Sequence, residues 1–157
     1  MEDLVKKYEG KANFLFIYVR EAHPGELIPE HETYEQKVAQ AKMLADRGNT
    51  RQIVVDDVNG EIHRQYGGLP NMSWVLDHTG RVAYKASWTD SVDIDAALEE
   101  AVTLREKKAK GEMANEFYRE TVGIRLTRPE GPGLLGGERA FEDSRLVAER
   151  RAKVTAS

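Results

Sequence analysis

An acid and two histidines near the end of an apolar run set the chemical question. The stretch FLFIYVREAHPGE, residues 14 to 26, is apolar through Val19 and then releases Glu21 and His23 before Pro24; His31 follows after Pro29. Open α/β sheets bind ligands at the C-terminal ends of their strands. A histidine there can deliver a proton to a phenolate or carbanion-like centre, and a neighbouring carboxylate can fix its tautomer. No nucleophile accompanies them in the obvious form, because the chain has no cysteine. That excludes thiolate catalysis, disulfides and thiolate metal sites within these residues. The same side chains also have a plain structural reading, in which His23 caps a turn and Glu21 pairs with Arg20 or a lysine.

Glu21, His23, Glu30 and His31 are ligand types, but their spacing matches no familiar zinc pattern, which needs three or four convergent donors. No metal and no cofactor is assigned. Asp56 and Asp57 end a strand, where turn capping competes with cation binding. His63 and His78 fall on a short helix and a hairpin turn and are expected to be solvated. Trp74 and Tyr84, on hairpin strands, are expected to pack.

The elements that must hold these groups alternate. MEDLVKKYEG reads as the end of a helix, with Leu4, Val5 and Tyr8 at helical spacing and Gly10 as its stop. NFLFIYV, residues 13 to 19, is a strand covered on both faces, as in parallel sheets flanked by helices. Thr33 and Gln36 stand in capping-box spacing before a helix whose expected buried stripe is Tyr34, Val38, Ala41, Leu44 and Ala45, closed by Gly48. RQIVVDD is a second strand, and NGEIHRQYGG a turn with a short helix. NMSWVLDHTGRVAYKA forms a hairpin about Asp77-His78-Thr79-Gly80. VDIDAALEEAVTLREKKAKG is a helix buried through Ile94, Ala97, Leu98, Ala101 and Val102.

Beyond Gly111 the pattern loosens. EMANEFYRETVG is expected to add a helical turn or two through Met113 and Phe117. Residues 128–137, rich in Gly and Pro, read as a linker, and residues 138–153 as a charged helix that needs a partner to be stable. One domain over residues 1–110 with a C-terminal extension over 111–157 follows.

Composition narrows the classes. The 157 residues are 40% hydrophobic and 32% charged, with a net charge of −4 and a mean hydropathy of −0.60. The acidic balance argues against a general nucleic-acid binder, which needs a positive surface. No apolar run approaches the ~20 residues that span a bilayer, and the N-terminus lacks the pattern of a secretory signal. A cytoplasmic location without a membrane role is the expectation.

Several phrases carry a resemblance. YGGLPNMSWVLDHTGRVAYKA is similar to the part of peroxiredoxin-like and TlpA-like domains where a YG and a proline precede a β-hairpin. FLFIYVREAHPGE, the IPEH after it and the following helix resemble the iodothyronine deiodinase family and its bacterial thioredoxin-like relatives, over residues 4 to about 104. The resemblance implies a thioredoxin-like fold, three-layer α/β/α with a mixed sheet, and a thiol or selenol oxidoreductase as parent. It assigns Glu21, His23 and His31 supporting roles, the histidines binding an iodophenolate ring or relaying protons. It makes the Leu69-Pro70 bond cis, with Pro70 facing the active residue. Gly25 and Glu26 depart from the pattern usual in animal deiodinases, so thyroid hormone is not carried over as substrate; a small phenolic or peroxide substrate belongs to a full-length parent.

In the family the nucleophile sits upstream of anything present here, on the central strand between the counterparts of FLFIYV and SWVLD. That first strand is missing, which leaves two rows of amides and carbonyls to satisfy. Three repairs are open: the flanking strands close directly, another chain donates a strand, or the natural protein starts further upstream and this sequence is a fragment. The third is favoured, because a start inside a helix is hard to motivate. Homo-oligomerisation is compatible with either function class considered, a redox-silent oxidoreductase domain or a non-catalytic binding module with a histidine-lined pocket.

Overall fold

The computed structural model describes residues 1–115, 118–122, 138–139 and 142. Helix α1, Glu2–Lys7, carries acids in its first turn and lysines in its last, matching the helix dipole. Strand β1 is Leu15–Tyr18 and strand β2 Gln52–Val55, paired in parallel from Leu15↔Gln52 to Tyr18↔Val55. Parallel neighbours need a long crossover, and helix α2, Tyr34–Asp46, supplies it. Thr33 and Gln36 make the expected capping box at its start. Helix α3, Glu61–Gln65, leads to the hairpin of β3, Ser73–Leu76, and β4, Val82–Ala86. The hairpin turn is held by the Asp77 carboxylate, which accepts from Thr79 N at 2.8 Å and Arg81 N at 3.0 Å, while Gly80 takes the left-handed position at φ 83°. Helix α4, Ser91–Ala109, starts at Asp90, whose side chain accepts from the Val92 and Asp93 amides.

The core lies between α1, α4 and the hairpin: Leu4 and Tyr8 meet Val75, Tyr84, Ile94 and Leu98. Full burial of each of the larger apolar side chains contributes roughly 1.5–3 kcal/mol. Tyr8 also ties α1 to α4, its hydroxyl donating to Asp95 Oδ1 at 2.6 Å.

Among the described residues the strands form two separate sheets, β1–β2 and a three-stranded sheet ordered β3–β4–β5, where β5 is Arg119–Thr121. The mixed α/β architecture is that of a thioredoxin-like fold, and among the described residues no strand joins β1 to β3. The flanking strands β1 and β3 do not close on each other, so the first of the three repairs does not operate. Strand β1 is correspondingly not covered on both faces: Leu15 is 55% exposed.

Three further expectations are corrected. The helical turns expected near Met113 and Phe117 give way to β5, which pairs in parallel with β4 and sets Glu120 3.1 Å from the Lys85 ammonium; Met113 is exposed, and Phe117 lies outside the described residues. The buried face of α2 is Lys37, Gln40 and Ala41, one notch round from the expected stripe, because polar partners await inside: the Lys37 ammonium donates to the Asp57 carbonyl at 2.6 Å. The Leu69-Pro70 bond is trans, since the described residues contain no cis peptide. Trans is the lower-energy form of an X–Pro bond, and Pro70 is exposed, with no strand paired beyond β3 on that side among the described residues. The linker at 128–137 and most of the helix expected at 138–153 lie outside the described residues; Glu138, Arg139 and Glu142 are helical.

Candidate functional site

The residues singled out in the sequence gather where β1 ends. Glu21 is half-buried, and its Oε1 accepts from the backbone N–H of His23 at 3.2 Å. The carboxylate therefore fixes the backbone of the turn rather than the imidazole. The loop then closes on itself through Gly25 N donating to Ile28 O at 2.9 Å, with Ile28 buried.

His31 is oriented by two residues that the sequence reading passed over. Its Nδ1 lies 3.3 Å from Gln40 Oε1, the Tyr18 hydroxyl donates to the same oxygen at 3.2 Å, and Gln40 Nε2 donates to the Pro29 carbonyl at 2.6 Å. A carbonyl only accepts, so the amide nitrogen of Gln40 must face Pro29 and its oxygen must face Tyr18 and His31. His31 Nδ1 is then the donor. In the neutral ring this leaves Nε2 with the free lone pair, the form suited to accept a proton. The Tyr18 ring lies 6.5 Å from the His31 ring. Burial, and after it the charge of Glu21, pushes the Tyr18 phenol up to about 12.

Tyr18, Glu21 and Gln40 belong to the wall of a cleft of about 770 Å³, which is lined continuously along residues 11–22 and 69–78. The cleft thus follows the two facing edges of the split sheet, and α2 and α4 contribute Met43, Leu44, Ile94 and Leu98 to it. His23 and His31 are half-buried at the loop but are not part of this wall. Among the described residues no hydrogen bond joins the His23 ring to Glu21 or to His31. The structure gathers Glu21 with the His23 backbone, and His31 with Tyr18 and Gln40, as two adjoining groups.

The neighbouring candidates resolve as structural. Asp56 is fully buried and accepts from the amides of Asp57 at 2.8 Å, Ile62 at 3.0 Å and His63 at 2.9 Å. It caps α3, as turn chemistry anticipates. Burial opposes its charge, but the amides of His63, Ile62 and Asp57 and the charge of Lys37 outweigh that, and its carboxyl sits below the ordinary value. Burial lowers the Lys37 ammonium, with Asp56 and then Asp57 acting in the opposite sense. His63 is not simply solvated: its Nε2 lies 3.0 Å from the Leu69 carbonyl. His78 is exposed at the hairpin turn, Tyr84 is 1% exposed in the core, and Trp74 stacks edge-on against Tyr66 at 5.4 Å. Glu26, next to the site loop, accepts from the Glu138 and Arg139 amides at 2.7 and 3.2 Å, so the C-terminal extension caps onto this loop.

Among the described residues no cluster of three or more histidine, aspartate or glutamate side chains could hold a metal ion, and no helix is long and apolar enough to cross a membrane. The assembled chemistry is proton handling: a carboxylate, an imidazole with its tautomer set, and a phenol held neutral, beside a cleft.

The sequence profile of iodothyronine deiodinase matches residues 1–100. The human thyroxine 5-deiodinase is 29% identical over 91 residues, covering 52% of this chain and 30% of that protein. The rat thyroxine 5-deiodinase gives the same figures, and the type I iodothyronine deiodinase of Xenopus laevis is 28% identical over 90 residues, covering 52% of this chain and 35% of its own length. The chain spans about a third of the length of the curated relatives it matches. It belongs to the iodothyronine deiodinase family.

Proposed function

We propose, from membership of the iodothyronine deiodinase family, that this chain is a thioredoxin-like domain of the thiol or selenol oxidoreductase type that is redox-silent by itself. The observation that carries this reading is the pairing of a zero cysteine count with a retained acid and histidine cluster at the end of β1. Thiol-based reduction needs a thiolate or selenolate to attack, and no residue of this sequence supplies one. Glu21, His23 and His31 would then serve a small phenolic or peroxide substrate in a longer parent. His31 would offer Nε2 as the proton acceptor, with Gln40 and Tyr18 holding its ring. A cytoplasmic location belongs to the same proposal. Purified chain with dithiothreitol is expected to reduce insulin disulfide, hydrogen peroxide and an iodinated phenol no faster than buffer. A rate that tracks protein concentration and disappears in Glu21→Gln would refute it.

A second reading is a non-catalytic binding module. The 770 Å³ cleft favours it, because the cavity persists without a nucleophile. A pocket ligand raises stability by mass action. The histidine-lined pocket expected for this reading gives way to a cleft walled by Tyr18, Glu21 and Gln40, with His23 and His31 outside it; phenolic probes that raise the Tm of the wild type, but not of a Tyr18→Phe/Glu21→Gln double variant, would support this reading over a merely silent remnant.

A further inference from the structure

We infer that a small pocket between the hairpin turn and the last turns of α4 binds an aromatic carboxylate, a single ring with one anionic head. The inference does not depend on the redox reading, because Glu21, His23 and His31 take no part in the pocket. It measures about 180 Å³ and shares only Asp77, His78 and Ala101 with the wall of the larger cleft. Its α4 residues, Ala101, Leu104 and Lys108, and also Tyr118 lie beyond residues 1–100, the span that the deiodinase profile matches. The helix side of the wall is therefore outside that span.

Size and lining select the body of the ligand. An apolar cavity of roughly 150 Å³ accepts benzene, so 180 Å³ holds one ring with a short head group. On α4, Ala101, Leu104 and Lys108 recur at intervals of three and four residues, which places them in one stripe facing the pocket. Ala101 is the shortest of them and leaves depth for a ring. Val82 and Ala83 of β4 add the strand side, and Val82 is 36% exposed. A ring that covers this apolar surface gains by removing it from water.

The charged groups select the head. His78 and Arg81 of the turn and Lys108 of the helix bring donors to the same pocket. Among the described residues the one carboxylate in the wall is Asp77, and it faces its own loop: it accepts from the Thr79 hydroxyl at 2.7 Å and from the Thr79 and Arg81 amides at 2.8 and 3.0 Å. The Thr79 hydroxyl first, and then the Arg81 and Thr79 amides, hold its carboxyl down to about 2. Its charge is thus met within the turn. At the end of α4 the carbonyls of Glu106, Lys107 and Lys108 accept from the Lys110, Gly111 and Glu112 amides, so backbone donors already meet the negative end of the helix dipole. The Tyr118 hydroxyl donates to Glu120 Oε2 at 3.0 Å, and Glu120 is in turn paired with Lys85 at 3.1 Å. Two fixed cations in one concavity favour an anion, and a planar guanidinium matches the two oxygens of a carboxylate.

The test uses the full chain and three probes of similar size, benzoate, benzamide and benzylamine, followed by methyl and amide NMR. Benzoate is expected to shift the methyl signals of Val82, Ala83, Ala101 and Leu104 with a Kd on the order of millimolar. Benzamide and benzylamine are expected to bind about tenfold more weakly or not at all, and added salt to weaken benzoate. The Arg81→Gln/Lys108→Gln double variant should keep the far-UV circular dichroism of the wild type and lose about tenfold in benzoate affinity. Ala101→Val, which narrows the pocket without touching a charge, should weaken benzoate with the double variant's charges intact. Equal binding of benzamide and benzoate, unchanged affinity in the charge variant, or no shift at tens of millimolar benzoate would overturn the inference. So would shifts confined to Tyr18, Trp74 and Leu98, because the ring would then sit in the larger cleft.

Discussion

Asp56 is expected to be the most stability-critical polar residue of the fold, and the structure says how much. It is 0% exposed and serves three backbone donors, two of which, the Ile62 and His63 amides, belong to the first turn of α3. Loss of a helix cap costs about 0.5–2 kcal/mol, and each buried donor left without an acceptor about 1–3 kcal/mol. Asp56→Ala also removes a charge that compensates the fully buried Lys37. A loss of about 3–5 kcal/mol is expected, comparable to breaking a buried ion pair. Asp56→Asn separates the contributions. Its amide oxygen can still take the Asp57 and Ile62 amides, which share Oδ1, but its NH₂ would face the His63 N–H, which now donates to Oδ2. The expected loss is about 1–3 kcal/mol. Urea denaturation followed by far-UV circular dichroism measures both; at a slope of about 2 kcal/mol/M the alanine midpoint falls by about 2 M. Because the folded carboxyl is held below its ordinary value, its contribution is present above the unfolded pKa of ~3.9 and is lost as pH falls through the folded one. The gap between wild type and Asp56→Asn should therefore close in acid. Equal losses for Asn and Ala, or losses under about 0.5 kcal/mol for both, would refute the reasoning.

Gln40→Leu removes the oxygen that holds His31 Nδ1–H and the Tyr18 hydroxyl; ¹⁵N spectra of the His31 ring should move from one tautomer to a mixture, with stability falling by about 1–2 kcal/mol, and an unchanged tautomer would contradict the assignment. The Tyr18 phenol, pushed up to about 12, should ionise well above the ordinary value of ~10 in an ultraviolet titration, and Glu21→Gln should bring its midpoint down. Since the fold favours the neutral phenol, its contribution is present below the unfolded pKa of ~10 and is lost as pH rises toward the folded value. Tyr84 buries a hydroxyl with no partner among the described residues, so Tyr84→Phe should leave stability unchanged or raise it by up to about 1 kcal/mol; a loss above that, read by the same urea titration, would mean that the hydroxyl is engaged.

Periodicity and turn chemistry made most of the elements legible in the sequence. The capping box of Thr33 and Gln36, the Asp77 turn with Gly80 and the run from Ser91 all formed as read, because each depends on neighbours within a few residues. What local pattern could not show was which face of α2 points inward. Lys37 and Gln40 are polar, and their burial is decided by groups 20 and 22 residues away, the Asp57 carbonyl and the Tyr18 hydroxyl. For the same reason Gln40 and Tyr18 escaped the site reading, although their positions next to the α2 cap and the end of β1 were visible signals. β5 was missed because three residues are too few to show an alternation. The cis expectation at Pro70 came from family resemblance, and it presupposed a strand beside β3 that the described residues do not include.

The central claim is that the sheet is split, with β1 and β3 each carrying an open edge. Native-state hydrogen exchange of the isolated chain tests it residue by residue. An alternating pattern is expected in β1: Phe16 and Tyr18, turned toward β2, exchange slowly, while Ile17, turned toward the cleft, exchanges at a rate near that of an unstructured amide. Uniform protection of all three amides at concentrations where the chain is monomeric would show that the edge is already paired and would contradict the account.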